Sequence, residues 1–127
     1  KDLALRVRLS DRFYDLHVHD KMQRIVGDRL RPADKKDAFG VEKLRNELEI
    51  ALSLVDRDMG EGGWATGLTF TMADCAAAPA LYYANQVAPF GDKHAGAARY
   101  LDRLMARPSF ARVLAEAEPF FAMFPKS

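Results

Sequence analysis

Phe70-Thr71-Met72-Ala73-Asp74-Cys75-Ala76-Ala77-Ala78-Pro79-Ala80-Leu81 is the stretch that decides the architecture of this chain. Thr71 is a favourable N-cap, because its hydroxyl can accept one of the amides left open at a helix start. Asp74, three positions on, can reach back to the Thr71 amide, which completes a capping box. Phe70 and Cys75 stand at the two ends of a hydrophobic staple, a placement that would bury Cys75 and leave it inert. Behind the box the helix is built of small apolar residues, the composition of an element at the centre of a helical domain. Pro79 sits inside it and predicts a bend. Such a box stabilises a fold and performs no chemistry.

The rest of the chain reads as four more helical segments and no strand. The first runs from about Asp2 to Arg29, with Leu5, Leu9, Phe13 and Leu16 on one stripe and Val18, Met22, Ile25 and Val26 continuing an apolar surface. It ends before Pro32, which disfavours helix at the residue preceding it. After the polar link Asp34-Lys35-Lys36-Asp37, a second long helix places Val41, Leu44, Leu48, Ala51, Leu52, Val55 and Met59 at steps of three and four. Ile50 and Leu54 widen that stripe, so the helix is expected to be covered on more than one side, by neighbours or by a second subunit. The capping-box helix then spans Met72 to about Gln86, and Pro89 and Gly91 close it. A fourth helix covers about His94 to Ala106, with Ala97, Leu101, Leu104 and Met105 inward and Arg99, Asp102 and Arg103 outward. Ser109 is the expected cap of a fifth helix with Phe110, Val113, Leu114 and Ala117 as core positions. Pro119 interrupts it and leaves a tail carrying Phe120, Phe121 and Phe124.

Composition excludes several function classes. The 127 residues suit one domain, residues 1–127, whose core buries roughly two thirds of the surface of its unfolded chain. Nineteen Lys and Arg against eighteen Asp and Glu give a net charge of +1 with the signs interspersed, so neither a nucleic-acid nor an anionic-membrane footprint is present. The longest weakly polar run, Ala73 to Ala84, is too short to span a bilayer. The single cysteine rules out an internal disulfide framework and a cysteine zinc cluster, and it is compatible with a reducing, cytoplasmic setting. His17 and His19, two apart on a helix, point to different sides and cannot hold one metal together, so no metal site is expected. Gly60-Glu61-Gly62-Gly63-Trp64-Ala65-Thr66-Gly67 lacks both the Gly-Lys-Ser/Thr ending and the upstream strand of a phosphate-binding loop; it reads as a surface turn with Trp64 tucked under it. The chain opens on Lys1 without an initiator Met, already in helical register, as expected of one domain cut from a longer protein.

Phe13-Tyr14-Asp15-Leu16 on a long amphipathic helix, then Gly67-Leu68-Thr69-Phe70-Thr71-Met72-Ala73-Asp74, then Arg103-Leu104 through Arg107-Pro108-Ser109-Phe110, together resemble the all-helical C-terminal domain of cytosolic glutathione S-transferases of bacterial type. The resemblance spans nearly the whole chain. It implies an all-α bundle of about five helices around the capping-box helix, with Thr71 and Asp74 as its structural box. It also implies an N-terminal thioredoxin-like domain, a partner in cis absent from these residues, which supplies the Tyr, Ser or Cys that activates glutathione. No catalytic residue is then expected in this chain. No cofactor is expected on this domain alone, with glutathione as co-substrate of the parent and a small hydrophobic electrophile as the other reactant, in a detoxifying homodimer.

By the same resemblance the later half of the first helix faces the neighbouring domain, and Tyr14, His17, Val18 and Lys21 recur on a common side as a candidate substrate pocket. Their other reading is a partly exposed helix face packed on something else. The tail aromatics Phe121 and Phe124 either cover that cavity or cap the core. A second functional class stays open, because helical domains of this kind also serve as non-catalytic protein-interaction modules.

Overall fold

The computed structural model describes residues 2–59, 62–67 and 69–125. Lys1 at the expected helix start, Gly60 and Glu61 of the glycine-rich connection, and Leu68 of the Gly67–Asp74 motif lie outside the described residues. Helices α1 (Asp2–Phe13) and α2 (Asp20–Arg29) are joined by a π-helical stretch, Tyr14–His19, into one rod. Helix α3 spans Ala38–Met59, α4 Met72–Val87, α5 Ala95–Met105 and α6 Pro108–Ala117, and a 3-10 stretch, Glu118–Met123, begins the tail. Among the described residues the one β-type pairing is an isolated antiparallel bridge between Trp64 and Gly67. The architecture is the expected all-α bundle of five helical segments, counting the rod as one.

Helix α4 lies at the centre, in contact with α1, the π-helical stretch, α2 and α5. Its buried residues are mostly alanines, Ala73, Ala77, Ala78, Ala80 and Ala84, which let neighbouring backbones come close, with Leu81 filling the middle. The helix starts as expected: the Thr71 hydroxyl accepts the Ala73 amide at 3.2 Å, and Asp74 Oδ2 accepts the Thr71 amide at 2.9 Å. The other Asp74 oxygen does more than a box requires. Oδ1 accepts the Ala65 amide at 2.8 Å and the Tyr100 hydroxyl at 2.5 Å. A carboxylate with no solvent exposure is costly unless its lone pairs are filled, and here the donors come from the loop, the helix start and α5. Tyr14 also hydrogen bonds to Tyr100. The one hydroxyl proton of Tyr100 is committed to Asp74, so Tyr14 is the donor in that second bond. Burial drives the pKa of both phenols above the ordinary tyrosine value and keeps them protonated.

A second buried tie joins α3 to α5. Asp56 Oδ1 accepts the Gly96 and Ala97 amides at 2.5 and 3.2 Å, serving from another helix as the cap that His94, the residue before α5, does not provide. The buried His94 ring instead places Nε2 2.8 Å from Glu49 Oε2, and Lys93 reaches the same oxygen at 3.1 Å. Helix α3 is itself capped by Asp37, whose Oδ1 accepts the Gly40 amide at 2.9 Å.

Four expectations need correction. The stripe of Leu5, Leu9, Phe13 and Leu16 does not enter the core: the three leucines are 55%, 62% and 47% exposed, and only Phe13 packs against the core. Helix α1 buries no side chain, and the rod turns a different side to the core, the one carrying Tyr14, Val18, Met22 and Ile25. Cys75 is exposed rather than held in a staple, because Phe70 turns the other way, edge-on to Trp64 at 5.1 Å and beneath the Arg107 guanidinium at 3.6 Å. Ser109 is not the cap of α6; that helix begins one residue earlier, at Pro108, whose fixed φ suits the first position. Val113 is 58% exposed, while Phe110 packs on the core edge, so α6 lies on the bundle without burying a side chain completely. Pro79 is exposed and α4 runs on through it to Val87. Trp64 is half-buried beneath its turn, as expected, and positive φ at Gly63 (85°) and Gly67 (125°) lets the chain double back there.

Two stability measurements follow from these ties. Thr71→Ala removes a single acceptor and is expected to cost about 1 kcal/mol, whereas Asp74→Ala strands three donors and is expected to cost about 3 kcal/mol or more in urea unfolding. Equal losses in the two variants would contradict the wider role of Asp74. The hydrogen bond from His94 is the main cause that holds the Glu49 carboxyl below its ordinary pKa, with Lys93 adding to it. A depressed carboxyl stabilises the fold above the ordinary carboxylate range, and that contribution disappears as pH falls through the folded value. Unfolding curves between about pH 3 and 6 should show a shallower acid loss in Glu49→Gln than in the wild type.

Candidate functional site

From the end of its π-helical stretch the rod carries His19, Met22, Gln23 and Val26 at helical steps, and the tail lies against them. Between them lies a cleft of about 400 Å³, closed by Tyr83 of α4 and by Phe121, Phe124 and Pro125. The tail is held in three ways. Phe124 stacks on Tyr83 with ring centres 5.3 Å apart, Phe121 tilts against Tyr82 at 5.9 Å, and a guanidinium N–H of Arg29 donates to the Pro125 carbonyl at 2.9 Å. Burial, with Tyr83 alongside, raises the Tyr82 pKa, so its hydroxyl stays a neutral donor. The cleft therefore offers aromatic and aliphatic walls with His19 and Gln23 as polar groups, an arrangement that suits an apolar body with one polar edge.

Phe121 also lines a second, smaller cavity of about 200 Å³ between α4 and α6. Its floor is Ala78, Pro79 and Tyr82, its far wall Phe110, Val113 and Leu114, and Cys75 stands at its rim. Both apolar faces are open in this chain.

The sequence-derived candidates divide between these places. Phe121 and Phe124 line the cleft. Tyr14 and Val18 are buried in the core, where Tyr14 serves the Asp74 network. His17 is exposed and touches Phe13, with ring centres 5.6 Å apart. Lys21 is half-buried in an ion pair with Glu47 of α3 at 3.2 Å. The four rod residues thus do not share one face. His19, Met22, Gln23 and Val26, not among those candidates, line the cleft at ordinary helical steps.

The model of the family described as glutathione S-transferase, C-terminal domain matches residues 13–108, from the last residue of α1 to the first residue of α6. A crystal structure of a glutathione S-transferase from Methylobacterium radiotolerans JCM 2831, in complex with glutathione sulfonate, superposes with a TM-score of 0.70 at 31% identity. The match covers 85% of this chain and 52% of that one, so the chain spans about half the length of the solved protein. No curated protein matches the chain. Among the described residues no helix is long and apolar enough to cross a membrane.

Exposure of Cys75 sets a direct chemical test. A disulfide reagent should titrate one thiol per chain promptly in native buffer, and Cys75→Ser should abolish the reaction. A thiol that reacts only after denaturation would restore the buried staple.

Proposed function

This chain belongs to the glutathione S-transferase C-terminal domain family, and from that premise we propose that it forms the electrophile-binding wall of a glutathione S-transferase. In this reading a thioredoxin-like domain in cis binds glutathione and lowers the pKa of its thiol, and the thiolate attacks a small apolar electrophile. The chain contributes no catalytic side chain. The α2–tail cleft holds the electrophile's apolar part and keeps water from it, with Phe121 and Phe124 on the tail side and Met22 and Val26 on the rod side. Tyr14 and Val18 act behind this wall, and His17 and Lys21 flank it.

The observation that carries the proposal is the open apolar cleft beside the rod, in a chain that matches about half of a relative crystallised with glutathione sulfonate. The uncovered leucines of α1, together with Ile50 and Leu54 of α3, support a homodimer, and the open α4–α6 cavity supports a docked neighbouring domain. A detoxifying conjugation in the cytoplasm is the matching setting for a chain with one exposed, unpaired cysteine.

The test is isothermal titration of glutathione and an S-alkyl glutathione into the natural full-length protein and, in parallel, into this chain, with a conjugation assay on both. Binding and turnover by the full-length protein alone are expected. Phe124→Ala in that protein should raise KM for an apolar electrophile by up to about tenfold while leaving the affinity for glutathione unchanged. A full-length protein that neither binds nor conjugates would overturn the transferase reading and leave the protein-interaction module in its place.

A further inference from the structure

On the opposite side of Arg29 from the cleft, a pocket of about 410 Å³ opens between the end of α2 and the start of α3. Three cations line it, Arg29, Lys36 and Arg45, around an apolar floor of Ile25 and Val41. Each arginine is half-buried and donates to a carbonyl, Arg29 to Pro125 and Arg45 to Val87, both at 2.9 Å. Among the described residues no carboxylate lies within 4.0 Å of either guanidinium. Neither of the two acidic side chains at the pocket, Asp28 and Glu42, forms an ion pair with them. Asp28 accepts the Asp37 amide at 2.8 Å and pairs with Arg31 at 3.8 Å, and Glu42 is exposed and makes no ion pair.

Two like charges facing one pocket, neither paired with a carboxylate among the described residues, are an unusual expense in a chain whose net charge is only +1. A guanidinium has five N–H donors in a planar fork, and a single carbonyl bond leaves most of that fork unspent on each arginine. An anion with two oxygens can take donors from both forks and relieve their mutual repulsion. We infer that Arg29, Arg45 and Lys36 form a binding site for a small oxyanion, a carboxylate or an inorganic phosphate, at the junction of α2, α3 and the tail. Burial, then the nearby charge of Arg45, lowers the Arg29 pKa, and a bound anion would counter the second of these. The site is independent of the transferase reading. Arg29 also anchors Pro125, so an occupied site would tighten the tail that walls the cleft.

The experiment is a two-dimensional NMR titration of the arginine Nε–H resonances with sodium phosphate and, separately, with sodium succinate, each at an ionic strength held constant with sodium chloride. Saturable shifts at Arg29 and Arg45 that chloride does not reproduce are expected, and the anion that saturates first identifies whether phosphate or carboxylate is preferred. Arg29→Gln should weaken binding by about tenfold. Lys36→Gln, at an exposed position without a structural contact, should weaken it severalfold and guards against a folding defect in the first variant. Arg57→Gln, on the far end of α3 beside Asp58, should change nothing. Linear shifts without saturation, or saturation that neither Arg29→Gln nor Lys36→Gln affects, would overturn the assignment.

Discussion

The Asp74 carboxylate is the constraint on which the rest of the bundle depends. It is wholly buried, and it is tolerable there only because the loop at Ala65, the helix start at Thr71 and the phenol of Tyr100 all point donors at it. Through Tyr100 the same network reaches Tyr14, so the rod, the central helix and α5 meet at one charge. Hydrophobic packing alone would leave small-residue helices such as α4 free to slide, because alanines interlock weakly. A buried charge with directional partners removes that freedom.

Much of this was readable from residue order. The capping box, the central placement of α4, the α3 stripe and the turn over Trp64 follow from local chemistry, and local chemistry is what a sequence states most plainly. The failures share a cause, which is geometry set by distant neighbours. The exposure of Leu5, Leu9 and Leu16 has no compositional mark, since their spacing suits a buried face equally well, and of Tyr14, His17, Val18 and Lys21 only His17 is exposed. Cys75 was placed in a staple because nothing local reveals that Arg107, more than thirty residues away, claims Phe70. A chain end rich in aromatics has few places to go except across an apolar face, and Phe121 and Phe124 lie across one.

The apolar surface is divided in a way that separates stability from function. The core gathers on α3, α4, α5 and the inner side of the rod, where one chain suffices to bury it. The outer leucines of α1, Ile50 of α3 and the α4–α6 cavity form a second set that one chain leaves open. Such a surface is a poor bargain for an isolated domain and an ordinary one for a domain that works against a companion. The cleft beneath the tail belongs to neither set, being shaped within the chain yet open to what lies outside it.

The position of Trp64, the one tryptophan, has a practical consequence. Its indole stands edge-on to Phe70, one residue before the cap, and the next residue in the chain, Ala65, gives its amide to Asp74. The intrinsic fluorescence of this protein therefore originates beside the charge that organises it. Its emission is a built-in optical gauge of the central helix start, sensitive to loosening there before the remainder of the bundle has melted.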